Sequence, residues 1–143
     1  MTTAALEEAV QVEPDTLVAM AVDAAREGDI VTLDHLIAAG VSPEATSPRG
    51  DGLLMLAAYY GHADTVRWLA AHGADPDRRD ARGLTPLAGA AFKGFIDVAE
   101  ALVAAGASIN APSPDGRTPL AMAITFGRTE MVDWLRAKSG DSQ

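Results

Sequence analysis

Apolar residues in this chain come in short blocks of about two helical turns, each opened by turn chemistry and closed by glycine. In "GLTPLAGAAFKG" (Gly83–Gly94), Leu87, Ala88, Ala90 and Ala91 lie between Thr85-Pro86 and Gly94. "GRTPLAMAITFG" (Gly116–Gly127) repeats the arrangement behind Thr118-Pro119. Threonine can cap a helix by accepting from a first-turn N–H, and proline suits the first turn, where a missing N–H costs nothing. Glycine then accommodates the left-handed turn that ends the helix. A second helix is predicted from Ile96 and from Thr129. Its apolar residues Ile96, Val98, Ala99, Leu102 and Val103 suit a helix buried on more than one side. It stops at Gly106, and "ASINAPSPDG" supplies a turn-rich loop to the next Thr-Pro.

The pattern recurs at a fixed step of 33 residues, visible in the glycine series Gly50/Gly83/Gly116, Gly28/Gly61/Gly94/Gly127 and Gly40/Gly73/Gly106. Leu36, Leu69, Leu102 and Leu135 keep the same step. So do Ala24-Ala25, Ala57-Ala58 and Ala90-Ala91, continued by Ala123-Ile124. A period of this length signals a solenoid of stacked supersecondary units.

Helix, turn, helix and projecting loop at this step resemble the ankyrin repeat. The matching residues are Gly83, Thr85-Pro86-Leu87, Ala90-Ala91, Gly94, Val98, Leu102 and Gly106-Ala107. They recur as Gly116, Thr118-Pro119-Leu120, Ala123, Gly127, Val132 and Leu135, and "GHADTVRWLAAHGADP" (Gly61–Pro76) adds a further match. The resemblance implies an all-α ankyrin-repeat solenoid over residues 13–139, in units of about 14–46, 47–79, 80–112 and 113–139. The chain departs from the family where a histidine usually follows Thr-Pro-Leu: Val22, Met55, Ala88 and Ala121 stand there, removing a bond expected to stiffen the loop. Gly52-Leu53-Leu54 replaces Thr-Pro-Leu in the second unit, which weakens its cap. The first helix is expected to begin around Asp15 or Thr16.

Terminal units of a stack need polar outer faces. Arg136, Lys138 and Ser139 at one end, and Asp23, Arg26, Glu27, Asp29 and Asp34 at the other, are expected to cap it, making four units the whole repeat array. Residues 1–12 are read as an N-terminal tail or a short capping helix, and 140–143 as a C-terminal tail.

Aromatic residues make up only 5% of the chain, so its core must be built largely from alanine, leucine and valine. The net charge is −9 and Arg78-Arg79 is flanked by Asp77 and Asp80. That balance argues against nucleic acid, which demands clustered cations, and against an anionic membrane surface. Cysteine is absent, the N-terminus has no basic leader, and no long apolar run occurs. These features point to the cytoplasm, and the chain is expected to be a monomer.

Candidate chemistry is sparse. His35, His62 and His72 lack metal-ligand spacing and are read as structural. "DPDRRD" (Asp75–Asp80) has Pro76 and two arginines where a calcium loop needs oxygen ligands and a central glycine. "RGD" at Arg49–Asp51 is read as chance, and no phosphate-loop lysine follows it. No nucleophile has a plausible base, so no catalytic residue, metal or cofactor is expected, and the chain is read as no enzyme. Trp68 and Trp134, in one register on outer helices, are expected to pack between helices with an exposed edge.

What the resemblance implies about function is recognition of another protein. In an ankyrin stack the first helices line a concave groove, and its variable positions precede each Gly61-type turn. Here they read Arg26-Glu27, Tyr59-Tyr60, Phe92-Lys93 and Thr125-Phe126. Tyr59, Tyr60, Phe92 and Phe126 would form an aromatic strip beside Lys93, the kind of side chain that carries binding energy. Loop residues Arg49, Asp51, Arg79, Arg82, Leu84, Asp115 and Arg117 would flank it as a charged rim. Four of those seven are arginines, which favours an acidic partner segment. The expected role is a protein–protein interaction module; the alternative is an inhibitor or immunity-type protein that covers a partner enzyme's active site.

Overall fold

The computed structural model describes residues 13–140. These form eight helices: α1 (Pro14–Glu27), α2 (Ile30–Ala38), α3 (Leu53–Tyr59), α4 (Ala63–Ala71), α5 (Pro86–Lys93), α6 (Ile96–Ala104), α7 (Pro119–Thr125) and α8 (Thr129–Ser139). Consecutive helices pair as hairpins. The first helix of each hairpin packs on the first helix of the next, through α1, α3, α5 and α7. In the second row, α4 packs on α6 and α6 on α8. The fold is an all-α solenoid, and no strand occurs among the described residues.

Local chemistry accounts for the helix starts. Thr85 Oγ1 accepts from Ala88 N (3.1 Å) and Thr118 Oγ1 from Ala121 N (3.2 Å), with Pro86 and Pro119 in the first turn. Gly52 offers α3 no side-chain cap, in line with the weaker start expected there. Helix α1 begins at Pro14, a little ahead of the expected Asp15 or Thr16, because proline's fixed φ already suits the first helical position.

The alanine pairs explain the close approach of the hairpins. Ala25, Ala57, Ala58, Ala90, Ala91 and Ala123 are fully buried, and Leu36, Leu69, Leu102 and Leu135 form a continuous column beside them. Each fully buried leucine contributes about 1.5–3 kcal/mol through removal of apolar surface from water. Ile124 on α7 is 52% exposed, where Ala58 and Ala91 at the same register are buried against the next hairpin, because no further hairpin follows among the described residues. Val31 on α2 is 60% exposed at a register where Asp64, Asp97 and Glu130 are exposed too. Helix α8 runs on through Ser139, and Gly140 (φ 78°) follows in the left-handed conformation. The tail or capping helix expected at 1–12 lies outside the described residues, as do 141–143.

The start of the second helix carries an inter-hairpin tie in two of the four hairpins. Asp29 caps α2 by accepting from Thr32 N (3.1 Å) and Thr32 Oγ1 (2.6 Å). In the same register, one and three steps later, the side chain reaches back to the preceding hairpin. His62 Nε2 donates to the Arg26 carbonyl (2.7 Å), and Arg128 Nε donates to the Phe92 carbonyl (2.8 Å). His62 therefore serves the stack. His72 Nδ1 lies 2.7 Å from the Trp68 carbonyl, and its ring stacks on the half-buried Trp68 indole at 3.9 Å. Trp134 is half-buried beneath Lys138 Nζ, 5.8 Å from its ring.

Candidate recognition groove

The groove is assembled from two kinds of element, the ends of the first helices and the loops that project before them. Tyr59 closes α3 and Phe92 lies in the last turn of α5. The 33-residue step therefore stacks one ring on the other, with centroids 6.1 Å apart and planes 8° from parallel. Phe126, at the end of α7, meets Phe92 edge-on at 4.5 Å, and Tyr60 meets Tyr59 edge-on at 5.9 Å. Lys93 Nζ sits 4.9 Å from the Tyr59 ring centre, a cation–π distance. The four rings thus form one connected strip. Tyr59 and Phe92 are half-buried, whereas Tyr60 and Phe126 remain 52% and 43% exposed.

Each loop is held by a buried polar side chain at the register of Ser47, Asp80 and Ser113. Backbone N–H groups of these residues donate to the carbonyls of Asp51, Leu84 and Arg117, closing three equivalent turns. Their side chains complete the turns. Ser47 Oγ accepts from Asp51 N (3.2 Å), Asp80 Oδ1 from Arg82 N (2.9 Å) and Leu84 N (3.0 Å), and Ser113 Oγ from Arg117 N (3.3 Å). The loops are thus braced from within, although no histidine follows Thr-Pro-Leu. Carboxylates also link successive loops: Glu44 Oε1 accepts from Asp75 N (2.9 Å) and Asp77 Oδ1 from Ser108 N (2.8 Å). "DPDRRD" is thus a rung of this ladder. Among the described residues no group of three His, Asp or Glu side chains is placed to hold a metal ion.

Two hollows open where strip and loops meet. The larger, about 390 Å³, lies between the third and fourth hairpins. Tyr59, Phe92 and Phe126 line it together with the loop residues Arg82, Leu84, Asp115 and Arg117. The second, about 190 Å³, is lined by Arg49, Asp51, Tyr59, Tyr60 and Arg82. Lys93 borders the strip through its contact with Tyr59. Arg79 stands apart: its Nη1 donates to the carbonyls of Gly83 (2.7 Å) and Pro112 (2.6 Å), tying one loop to the next.

Sequence reasoning did not single out the hollow's floor. Leu56, Gly89 and Met122 share one register, and Gly89 brings no side chain to it. A Cβ there would meet Met55 Cε at 3.3 Å and Tyr59 Cδ1 at 3.5 Å. The available signal was a lone glycine inside an apolar helical block, where glycine is otherwise unfavourable.

Charge is distributed unevenly on this edge. Arg82, 67% exposed, grips the wholly buried Asp80 carboxylate through Nη2 (3.0 Å) and Nε (3.3 Å). Arg117 Nε binds Asp115 Oδ2 at 2.8 Å. The Ser113 hydroxyl donates to the other Asp115 oxygen and, ahead of the neighbouring Arg117, holds that carboxyl below its ordinary pKa. Arg49 is exposed and makes no ion pair among the described residues. Of the charged residues that line the two hollows, Arg49, Arg82 and Arg117 outnumber Asp51 and Asp115, in a chain whose net charge is −9.

Comparison with known proteins bears on the hairpins that build this groove. Residues 21–113 match the family described as "Ankyrin repeats (3 copies)", and residues 115–142 match "Ankyrin repeat". A curated protein of Pseudomonas aeruginosa, named as an ankyrin repeat protein, is 51% identical over 45 residues. That segment is 32% of this chain and 26% of the Pseudomonas protein, so the chain matches about a quarter of that relative's length. Because the family matches fall on the same helical hairpins that the 33-residue step and the packing define, the chain belongs to the ankyrin repeat family.

Proposed function

We propose that this chain is a protein-binding module that receives a partner protein on the strip Tyr59, Tyr60, Phe92 and Phe126, with the loop edge as its rim. Ankyrin repeats are in general protein–protein interaction modules, and this chain shares their scaffold. The observation that carries the reading is the exposure of Tyr60 and Phe126 on a strip that is otherwise braced ring against ring. A stack that needed aromatic volume only for its core would bury those two rings. Exposed apolar surface beside polar loops is the usual anatomy of a contact site. Binding is to a preformed surface, so little conformational entropy is lost on docking. The reading takes the module as a cytoplasmic monomer acting on protein, with no nucleic acid, membrane surface or cofactor involved.

Affinity capture from the native host with the intact chain, set against Tyr60→Ala/Phe126→Ala, tests it. The double variant is expected to lose the partner while its helical circular dichroism stays unchanged. Retention of the same partner with undiminished affinity by calorimetry would remove the groove from consideration.

A further inference from the structure

We propose that the hollow between the third and fourth hairpins takes one bulky apolar side chain from an extended acidic segment of the partner, whose flanking carboxylates meet Arg82 and Arg117. This rests on the groove reading above and adds the chemistry of the occupant.

The anchor site lies beside Gly89. Met55 and Tyr59 already close on the face a Gly89 side chain would take, and the apolar recess opens beside it, among Tyr59, Leu84, Phe92, Met122 and Phe126. The hollow of about 390 Å³ has an apolar side of three rings with Leu84 and Met122, which suits a large apolar group, and a polar side at Arg82, Asp115 and Arg117.

The acidic flanks follow from the donors left over at the mouth. Arginine has five N–H donors. Arg117 spends Nε on Asp115, and among the described residues neither of its Nη groups makes a hydrogen bond. Arg82 uses Nε and Nη2 on Asp80 and leaves Nη1 free in the same sense. Both guanidiniums are held in place by their own loops, so a visiting carboxylate meets fixed donors. The first hairpin differs: Asp23 and Glu27 occupy the registers of Leu56 and Tyr60, and Arg26 at the Tyr59 register is paired with Asp23 at 2.9 Å, so the first hairpin presents no excess of positive charge.

A displayed pool of random short peptides, selected on the immobilised intact chain, tests the proposal. Enriched peptides are expected to carry Asp or Glu on both sides of a Phe, Trp or Leu. Their binding should weaken at least about tenfold in Gly89→Leu, which crowds Met55 and Tyr59 at the wall of the recess, and in Arg82→Glu/Arg117→Glu. It should also weaken as salt is raised. If Gly89→Leu does not fold, the charge reversal and the peptides' own anchor-to-glycine variants carry the test. Neutral or basic consensus peptides, or no enrichment, would overturn the acidic-anchor assignment. So would acidic peptides indifferent to both the recess and the arginines. The groove itself is judged separately: selected peptides that lose binding to Tyr60→Ala/Phe126→Ala uphold it, and peptides unaffected by that variant overturn both readings.

Discussion

Tyr59 and Phe92 stand 33 residues apart and stack nearly parallel, at 6.1 Å and 8°. The sequence period has become a ring ladder, and Phe92 is its central rung because it also meets Phe126. Phe92→Ala removes both contacts and is expected to cost about 2–3 kcal/mol, near the lower limit for losing an aromatic ring because Phe92 is only half-buried. Tyr60→Ala should cost no more than about 0.5–1 kcal/mol. Urea denaturation of the two variants checks the order; equal losses would mean that Tyr60 supports the fold as much as Phe92 does.

Gly94 and Gly89 lie on one hairpin and should respond in opposite directions. Gly94 has φ 79°, and an added Cβ would lie 3.1 Å from Arg128 Cδ. Gly94→Val combines a β-branched side chain with a left-handed backbone and displaces the Arg128 tie, so a loss of more than about 2 kcal/mol is expected. Gly89 is helical, and its nearest prospective neighbour is the flexible end of Met55. Gly89→Ala should stabilise by up to about 1 kcal/mol through lower backbone entropy in the unfolded chain. Thermal melts of the pair read both signs.

Asp80 holds its loop from the inside. Its buried carboxylate accepts from Arg82 N and Leu84 N as well as from the Arg82 guanidinium. Asp80→Ala leaves those backbone donors unpaired and is expected to cost about 2–3 kcal/mol. Arg82→Ala should cost less, about 1–2 kcal/mol, since it removes the bonds to Asp80 Oδ2 but leaves both backbone bonds to Oδ1 in place. Chemical denaturation at neutral pH distinguishes them, and a silent Asp80→Ala would contradict the loop assignment.

Asp29 links stability to pH. The Thr32 hydroxyl and backbone N–H bond its ionised carboxylate and lower its pKa from the ordinary 3.8. A depressed folded-state pKa gives stability that is present above 3.8 and lost as pH falls through the lower folded value. Asp29→Ala should therefore cost about 1 kcal/mol at neutral pH, with the gap to the native chain narrowing in acid. Denaturation curves across that range test the sign; a gap that widened in acid would refute it.

The array of hairpins was legible in the residues because its determinants are local. Thr85, Pro86 and Gly94 act within a turn or two of chain, and their recurrence at a fixed step implies neighbours that present the same face to one another. The aromatic register was legible for the same reason: Tyr59 and Phe92 occupy equivalent positions on equivalent helices. What tertiary structure decided depends on contacts about one repeat away. Arg79 and Arg82 lie on one loop, yet Arg79 is bound to the Pro112 carbonyl of the next loop, while Arg82 opens onto the hollow. The absent histidine suggested looser loops, but buried Ser47, Asp80 and Ser113 hold them through bonds that composition does not reveal. The recess beside Gly89 likewise exists only because Tyr59, Phe92 and Phe126 come together there from three successive hairpins, and a hollow forms only where separate elements fix its walls.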